Sequence, residues 1–140
     1  MKRDGQCLCG EIRVSAEVVN GEIVACHCGQ CRTWAGGGPG LAVKVVNVEM
    51  TGEPKLFHAS EWGERGFCKT CGTNVFWRMQ GKPTSYMHVG MFSDTSGFVI
   101  RDEIFADRRQ AWQPAIEGAR QSREAEELAL LAEALAEKKS

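Results

Sequence analysis

The sequence has no excess of charge of either sign: 17 Lys and Arg residues stand against 18 Asp and Glu residues, for a formal net charge of −1. Proteins that bind nucleic acid need a basic excess to neutralise phosphates, so nucleic acid is not an expected partner. No apolar run approaches the roughly 20 residues that cross a bilayer, so no membrane association is expected. The polar stretch Met1 to Gln6 contains no apolar segment of the kind that a secretory signal requires, which favours a soluble protein of the reducing cytoplasm.

Repeats of solenoid length and low-complexity tracts are also missing. A chain of 140 residues without them suits a compact domain, because a chain of this length buries roughly two thirds of its unfolded surface. Such a chain does not depend wholly on metal for its core.

What the sequence does contain is cysteine, with seven residues in three tight clusters. The clusters are Cys7-Leu8-Cys9, Cys26-His27-Cys28-Gly29-Gln30-Cys31 and Cys68-Lys69-Thr70-Cys71. Thiolates one or two residues apart can converge on one zinc ion, and the glycines that follow, Gly10 and Gly72, permit the tight turns that this requires. Because seven is odd, and because cysteines one residue apart are poorly placed for unstrained bridges, we expect zinc sites rather than disulfides.

The spacing alone allows two ways to divide the cysteines between two ions. In one, the first and last clusters share an ion with four thiolates and no vacancy, and the middle cluster holds a second ion with three. In the other, the first cluster joins Cys26 and Cys28, and Cys31 joins the last cluster. Four thiolates indicate a structural zinc, whereas three protein ligands with an open position are typical of a catalytic zinc.

A site with three thiolates favours a particular chemistry. So much donated negative charge weakens the ability of the ion to acidify bound water, so hydrolysis is not the expected reaction. A soft site of this kind suits another sulfur as its fourth ligand. We therefore expect a substrate thiol to enter, lose its proton and attack an electrophile such as an aldehyde carbonyl.

Short runs of alternating apolar residues predict a mainly β fold. Glu11 to Val18 is the first such run, with Ile12, Val14 and Ala16 on one face. A hairpin turn at Asn20-Gly21 should lead into a returning strand over Ile23 to Cys28, with His27 facing away from the cysteines. The glycine-rich stretch Gly36 to Gly40 is expected to be a mobile loop. Further strands are predicted at Leu41 to Met50, Lys55 to Ser60, Thr73 to Met79 and Tyr86 to Phe92.

The C-terminus instead predicts a helix that begins after Ser122 as N-cap. Its apolar stripe, at spacings of three and four, consists of Ala125, Leu128, Leu131, Ala132 and Leu135. Lys138 and Lys139 in the last turn suit the helix dipole. We expect a zinc-binding domain over residues 1–115 and a helical extension over residues 116–140 that packs on the domain or on a partner subunit, as in a homodimer.

Three stretches resemble a known family: Gly5-Gln6-Cys7-Leu8-Cys9-Gly10-Glu11-Ile12-Arg13, Cys26-His27-Cys28-Gly29-Gln30-Cys31-Arg32 and Gly66-Phe67-Cys68-Lys69-Thr70-Cys71-Gly72-Thr73. The stretch Arg65-Gly66-Phe67-Cys68 and the segment from Ile104-Phe105 to Trp112 fit the same pattern, so the likeness covers roughly residues 5–113. In the order and spacing of all seven cysteines the chain resembles the glutathione-dependent formaldehyde-activating enzyme family, also called the centromere protein V family.

The resemblance implies an Mss4-like, zinc-containing β-sandwich of short antiparallel strands, with two zinc ions per chain. It assigns a structural zinc to the first and last clusters, namely Cys7, Cys9, Cys68 and Cys71. It assigns the catalytic zinc to the middle cluster, namely Cys26, Cys28 and Cys31. His27, His58 and His88 are expected to be packed or hydrogen-bonded residues and not ligands.

The named activity of that family is the formation or cleavage of S-hydroxymethylglutathione from glutathione and formaldehyde. The resemblance thus implies a carbon–sulfur lyase whose partners are a small thiol such as glutathione and an aldehyde. Two other classes of function stay open. One is a non-catalytic zinc module that binds a protein partner, and the other is a thiol redox sensor whose middle cluster oxidises and releases zinc.

Overall fold

The computed structural model describes the backbone of residues 1–139 and the side chains of residues 1–137. Within the described chain the strands are β1 (Lys2–Gln6), β2 (Arg13–Val18), β3 (Glu22–Cys26), β4 (Gly40–Thr51), β5 (Lys55–Phe57), β6 (Gly63–Phe67), β7 (Asn74–Met79), β8 (Ser85–His88), β9 (Val99–Ile104) and β10 (Arg120–Gln121). The helices are α1 (Gly29–Ala35) and α2 (Glu124–Lys139), with 3₁₀ turns at Val89–Met91 and Ala106–Arg108. The prediction of a mainly β fold with a C-terminal helix is confirmed.

The described chain divides into two compact units. The first contains Met1–Ile23 and Leu41–Val99, and the second contains Val24–Gly40 and the described residues from Ile100 onward. In the first unit the strands pair in the order β1-β2-β4-β8-β7-β6-β5, and each of these pairings is antiparallel. No helix in the described part of the chain is both long enough and apolar enough to cross a membrane.

The core of the first unit follows from alternation along its strands. Val14, Ala16 and Val18 of β2 are buried, while the residues between them are half-buried or exposed. Val43 and Val45 of β4 are fully buried in the same way. Because successive side chains of a strand point to opposite faces, these positions lie on one face of the sheet, as the sequence predicts for β2.

The hairpin predicted at Asn20-Gly21 is wrong in its pairing. The turn itself is present, because Gly21 has a φ of 70° and the Asn20 side chain accepts a 3.0 Å hydrogen bond from the Glu22 amide. The strand before the turn, however, pairs with β1 and β4. The segment Lys2–Gln6 forms β1. It has no alternating apolar residues, so the sequence pattern did not identify it as a strand.

In the second unit β9 is the neighbour of both β3 and β10, and its pairing with β10 is parallel. The returning strand β3 ends at Cys26 instead of Cys28, since a helix starts soon afterwards. Cys28 is the N-cap of α1, and Gly36 ends the helix with a φ of 86°. The sequence pattern predicted no helix here, because a helix of two turns is too short to show an amphipathic pattern.

The C-terminal helix α2 begins at Glu124, close to the predicted start. The Asp107 side chain accepts a 2.9 Å hydrogen bond from the Glu124 amide, whereas the Ser122 hydroxyl bonds to the Glu127 carboxylate, so the predicted cap is wrong. None of the described side chains of α2 is fully buried, and Leu128 is 50 % exposed. The side chains of Lys138 and Lys139, and Ser140, lie outside the described residues, and the extension over residues 116–140 stays a prediction.

Candidate metal centres

Four cysteines from distant parts of the first unit lie together. Their Sγ atoms all lie within 4.8 Å of one another, and they belong to Cys7, Cys9, Cys68 and Cys71. We call this group the four-cysteine cluster. Cys7 and Cys68 are buried in the hydrophobic core, so the cluster is joined to the packing of the first unit.

The distances within the four-cysteine cluster fit a zinc ion. Four sulfurs that bind one zinc at about 2.3 Å stand about 3.8 Å apart at the corners of a tetrahedron. The Sγ atom of Cys9 lies 3.6 Å from that of Cys7 and 3.8 Å from that of Cys68. All seven cysteines of the chain are free thiols. The group therefore has the donor type, number and spacing of a closed structural zinc site.

Backbone turns give the four-cysteine cluster its shape. Gly10 and Gly72, which follow the two cysteine pairs, have φ values of 80° and 79°, as predicted from their positions. The Ile12 amide donates a 3.3 Å hydrogen bond to the Cys7 sulfur, and the Cys71 amide donates one of 3.5 Å to the Cys68 sulfur. Amide donors aimed at sulfur stabilise the thiolate, which is the form that binds a metal.

Thr73 is a contributor that sequence reasoning did not identify. Its hydroxyl lies 3.1 Å from the Cys71 sulfur and accepts a 3.0 Å hydrogen bond from the Leu8 amide. Hydrogen bonding from Thr73 lowers the pKa of the Cys71 thiol to about 5. Thr73 directly follows the Cys-Lys-Thr-Cys-Gly motif, and this position is the signal by which it could have been found.

The middle cysteines converge in the second unit. Cys26 ends β3, Cys28 caps α1, and Cys31 lies in the first turn of α1. Their Sγ atoms also lie within 4.8 Å of one another, and all three residues are half-buried. The Cys31 amide donates a 3.3 Å hydrogen bond to the Cys28 sulfur. We call this group the three-cysteine cluster.

The close spacing of the three thiols favours a cation among them if they are ionised. Hydrogen bonding with Cys28 and Cys31, together with burial and the charges of these neighbours, raises the pKa of Cys26 far above its ordinary value. Three thiolates at this spacing repel one another unless a positive charge lies between them. A soft divalent ion would supply that charge, because sulfur donors select for such ions.

Among the side chains that the structure describes, no fourth ligand-type residue joins the three-cysteine cluster. His27, between two of the cysteines, is 3 % exposed, and its Nε2 lies 2.8 Å from a carboxylate oxygen of Glu103. His58 lies 3.0 Å from Glu64, and the Nε2 of His88 is buried without a hydrogen-bond partner. Neither cluster includes a histidine among the described residues.

Gly40 lies against Cys31 of the three-cysteine cluster. A Cβ at this position would stand 3.3 Å from the Cβ of Cys31 and 3.6 Å from its Sγ. The glycine-rich stretch thus ends with its backbone against a cysteine. The sequence predicted the loop, but only the structure shows which of its glycines leaves room for Cys31.

Glu103 is the second residue that sequence reasoning missed. It is fully buried on β9 and binds His27 on one side. In the strand Val-Ile-Arg-Asp-Glu-Ile, one acidic residue follows another, and nothing in the pattern marks which of the two is buried.

The sequence model of a family described as "Glutathione-dependent formaldehyde-activating enzyme" matches residues 2–108. A protein of Schizosaccharomyces pombe, named as an uncharacterized lyase, is 26 % identical over 108 residues, which cover 74 % of this chain and 78 % of the relative. The crystal structure of a Rhodobacter sphaeroides protein has a similar fold, with a TM-score of 0.55 and 20 % identity. That likeness covers 64 % of this chain and 87 % of the other, and it supports the fold alone.

Proposed function

Because the chain belongs to the glutathione-dependent formaldehyde-activating enzyme family, we propose that it is a zinc-dependent carbon–sulfur lyase acting on the adduct of a thiol and an aldehyde. The observation that carries the proposal is the three-cysteine cluster, which has no fourth ligand-type side chain among the described residues. Three protein ligands with an open position are the pattern of a catalytic zinc site. The lyase name of the fission-yeast relative supports the same class of reaction.

The reaction balances without any further reactant. In the direction of adduct formation, the thiol loses its proton and its sulfur forms a bond to the carbonyl carbon. The electron pair of the carbonyl π bond moves to oxygen, which takes up a proton and becomes a hydroxyl group. Cleavage reverses each step, so no oxidant or reductant is consumed.

Each residue of the three-cysteine cluster has a defined part in this proposal. Cys26, at the end of β3, and Cys28 and Cys31, at the start of α1, hold the ion as thiolates. When bound, zinc favours the thiolate form of a sulfur that takes its remaining ligand position. The hydrogen bond from the Cys31 amide keeps Cys28 oriented as a ligand. Because the ligands themselves carry three negative charges, sulfur chemistry is favoured over the activation of water.

The four-cysteine cluster is proposed to hold a second zinc with a structural role. Its four thiolates leave no position for a substrate, and two of its members lie in the core of the first unit. We take glutathione as the thiol and formaldehyde as the aldehyde because these are the compounds for which the family is named.

Exchange NMR spectroscopy tests the proposal directly. In a mixture of glutathione and ¹³C-formaldehyde, the rate of exchange between free aldehyde and its thiol adduct is read from cross-peaks. We expect catalytic amounts of the wild-type chain to raise this rate, and Cys28→Ser to abolish the increase while its circular dichroism stays that of the wild type. The metal content of both proteins is measured by native mass spectrometry, with and without glutathione.

The alternatives give different results in the same experiment. A non-catalytic zinc module would bind two ions and leave the exchange rate at its spontaneous value. A redox sensor would lose one zinc reversibly under mild peroxide and would likewise not raise the rate. Either result would overturn the proposed lyase activity.

A further inference from the structure

A buried carboxylate lies behind the three-cysteine cluster. Glu103 is 0 % exposed, and His27, the residue between Cys26 and Cys28, is almost as fully buried. The His27 Nε2 and Glu103 Oε1 atoms are 2.8 Å apart. Since a carboxylate only accepts hydrogen bonds, the ring N–H donates and the tautomer of His27 is fixed.

The other carboxylate oxygen of Glu103 also accepts hydrogen bonds. Its Oε2 accepts a 2.8 Å hydrogen bond from the Ile116 amide and a 2.6 Å bond from the Gln121 side chain, and Arg109 lies 3.5 Å away. Burial acts to raise the pKa of Glu103, but the donors from Gln121, Ile116 and His27 outweigh it and lower that pKa. Glu103 is therefore a buried anion with a full set of partners.

A main-chain hydrogen bond also joins His27 to β9. The His27 amide donates a 3.0 Å bond to the Ile104 carbonyl, next to Glu103. Both the backbone and the ring of His27 are thus fixed to β9. Cys26 is the last residue of β3, and Cys28 also has an extended backbone, with a φ of −61° and a ψ of 157°. Fixing His27 between them therefore restricts the directions of both cysteine side chains.

We propose that the Glu103–His27 pair is the positioning device that sets the relative placement of Cys26 and Cys28, and thereby the affinity of the three-cysteine cluster for its metal ion. Neither residue is a metal ligand, and each acts through the cysteines. The inference deepens the proposed function and rests on it for the identity of the cluster as a metal site. A buried, hydrogen-bonded carboxylate is weak evidence for stability in itself, because apolar residues of similar volume often stabilise a fold as well. The attachment of this pair to the ligand-bearing segment is what favours a role in metal binding.

The test compares the affinity for metal of single variants of the full-length chain. Glu103→Gln removes the buried charge with little change in shape. Glu64→Gln is the matched control, because Glu64 also pairs with a histidine, His58, at 3.0 Å, and belongs to neither cysteine cluster. Zinc affinity is measured by competition with a chromogenic chelator, and cobalt substitution reports ligand geometry through its thiolate charge-transfer bands.

We expect Glu103→Gln to weaken the binding of one of the two zinc ions by about 10- to 100-fold, as is common for groups that orient metal ligands. The other ion should keep its affinity, and the cobalt bands of the weakened site should change. The control should leave both ions and both sets of bands unchanged. A folded Glu103→Gln protein that binds both ions within about twofold of the wild-type affinities would overturn the proposal.

If Glu103→Gln does not fold, two variants of His27 test the same proposal. The amide of His27→Gln can still donate to Glu103 from nearly the same place, whereas His27→Leu cannot. We expect the first to keep most of the zinc affinity and the second to lose it. Equal affinities, or loss of folding in Glu103→Gln and both His27 variants, would overturn the proposal in favour of a general role in the core.

The outcomes separate this inference from the lyase proposal. A wild-type chain that binds two ions but does not accelerate aldehyde exchange removes the lyase activity, while the affinities of the variants still decide the role of Glu103. A wild-type chain that binds an ion only at the four-cysteine cluster overturns the positioning role outright.

Discussion

The sulfur atoms of Cys9 and Cys68 lie 3.8 Å apart although 59 residues separate them in the sequence. The chain runs through several strands between these two positions. The contact therefore joins two segments of the first unit that are far apart in the sequence. Cys68 is fully buried, whereas the cysteines of the three-cysteine cluster are only half-buried. The two clusters should therefore respond differently to the same substitution.

Cys68→Ser is expected to destabilise the chain far more than Cys28→Ser. It removes a ligand of the proposed structural zinc, and the binding of such an ion is coupled to folding with apparent free energies on the order of 10 kcal/mol. A loss of several kcal/mol lowers the melting temperature by roughly 10 °C or more. Thermal unfolding followed by circular dichroism measures the difference, with Cys28→Ser close to the wild type.

Removal of metal with a chelator tests independently whether the two clusters differ in their effect on folding. Native mass spectrometry should show the ion of the three-cysteine cluster leaving first, with little change in the circular dichroism. The second ion should leave only together with loss of structure. Simultaneous loss of both ions from a chain that stays folded would contradict the structural assignment of the four-cysteine cluster.

Gly40→Ala is expected to weaken metal binding at the three-cysteine cluster. Its Cβ would stand 3.3 Å from the Cβ of Cys31, closer than ordinary packing, so Cys31 must shift by a few tenths of an ångström. Zinc affinity should fall several-fold by chelator competition. Gly38→Ala is the control, since its Cβ has no atom within 4 Å, and it should bind like the wild type. Equal affinities for the two variants would show that Cys31 tolerates the contact.

Gly66→Ala tests the packing of the first unit without touching either cluster. Its Cβ would overlap the ring of Phe76, which is 2 % exposed and part of the core. Overpacking of this kind costs about 1–3 kcal/mol, which urea denaturation measures. Gly90→Ala, with no atom within 4 Å of its Cβ, should change the free energy of unfolding by much less. If Gly66→Ala unfolded at the same urea concentration as the wild type, the close contact between Gly66 and the Phe76 ring would be contradicted.

Glu64→Gln is expected to remove a contribution to stability that depends on pH. Burial acts to raise the pKa of Glu64, but hydrogen bonds from Arg78 and His58 lower it below its ordinary value of 4.5. A carboxyl whose pKa is lowered on folding stabilises the native state above its unfolded pKa, and that contribution is lost as the pH falls through the folded pKa. Because Arg78 and His58 are partly exposed, we expect about 1 kcal/mol or less.

Urea denaturation of the wild type and Glu64→Gln at each pH measures this effect. The wild type should be more stable at pH 6, and the two free energies of unfolding should converge as the pH falls below 4.5 and through the lowered folded pKa of Glu64. Comparing the variants at the same pH removes the separate effect of acid on the cysteines. A difference that stays constant down to acid pH would show that the carboxylate charge of Glu64 contributes nothing.

Local sequence patterns predicted the structure correctly where buried and exposed residues alternate regularly, or where a glycine follows a cysteine pair. The alternation in β2 predicted which of its residues are buried, and the positions of Gly10 and Gly72 predicted positive φ. The same reasoning failed for β1, which is polar, and for α1, which is too short for a helical period. The pairing of β2 was also wrong, because hydrogen bonds between strands depend on partners that a local pattern does not contain.

The amino-acid sequence alone indicates the type of ligand, because seven cysteines with these spacings, in a chain without charge excess, favour the proposed zinc sites and thiol reaction. It also determined a mainly β architecture with a C-terminal helix. Only the tertiary structure brought the first and last cysteine pairs together, placed Gly40 against Cys31 and buried Glu103 against His27. Ligand type and turn conformation are local properties of the chain, whereas distances and burial arise when residues far apart in the sequence pack together.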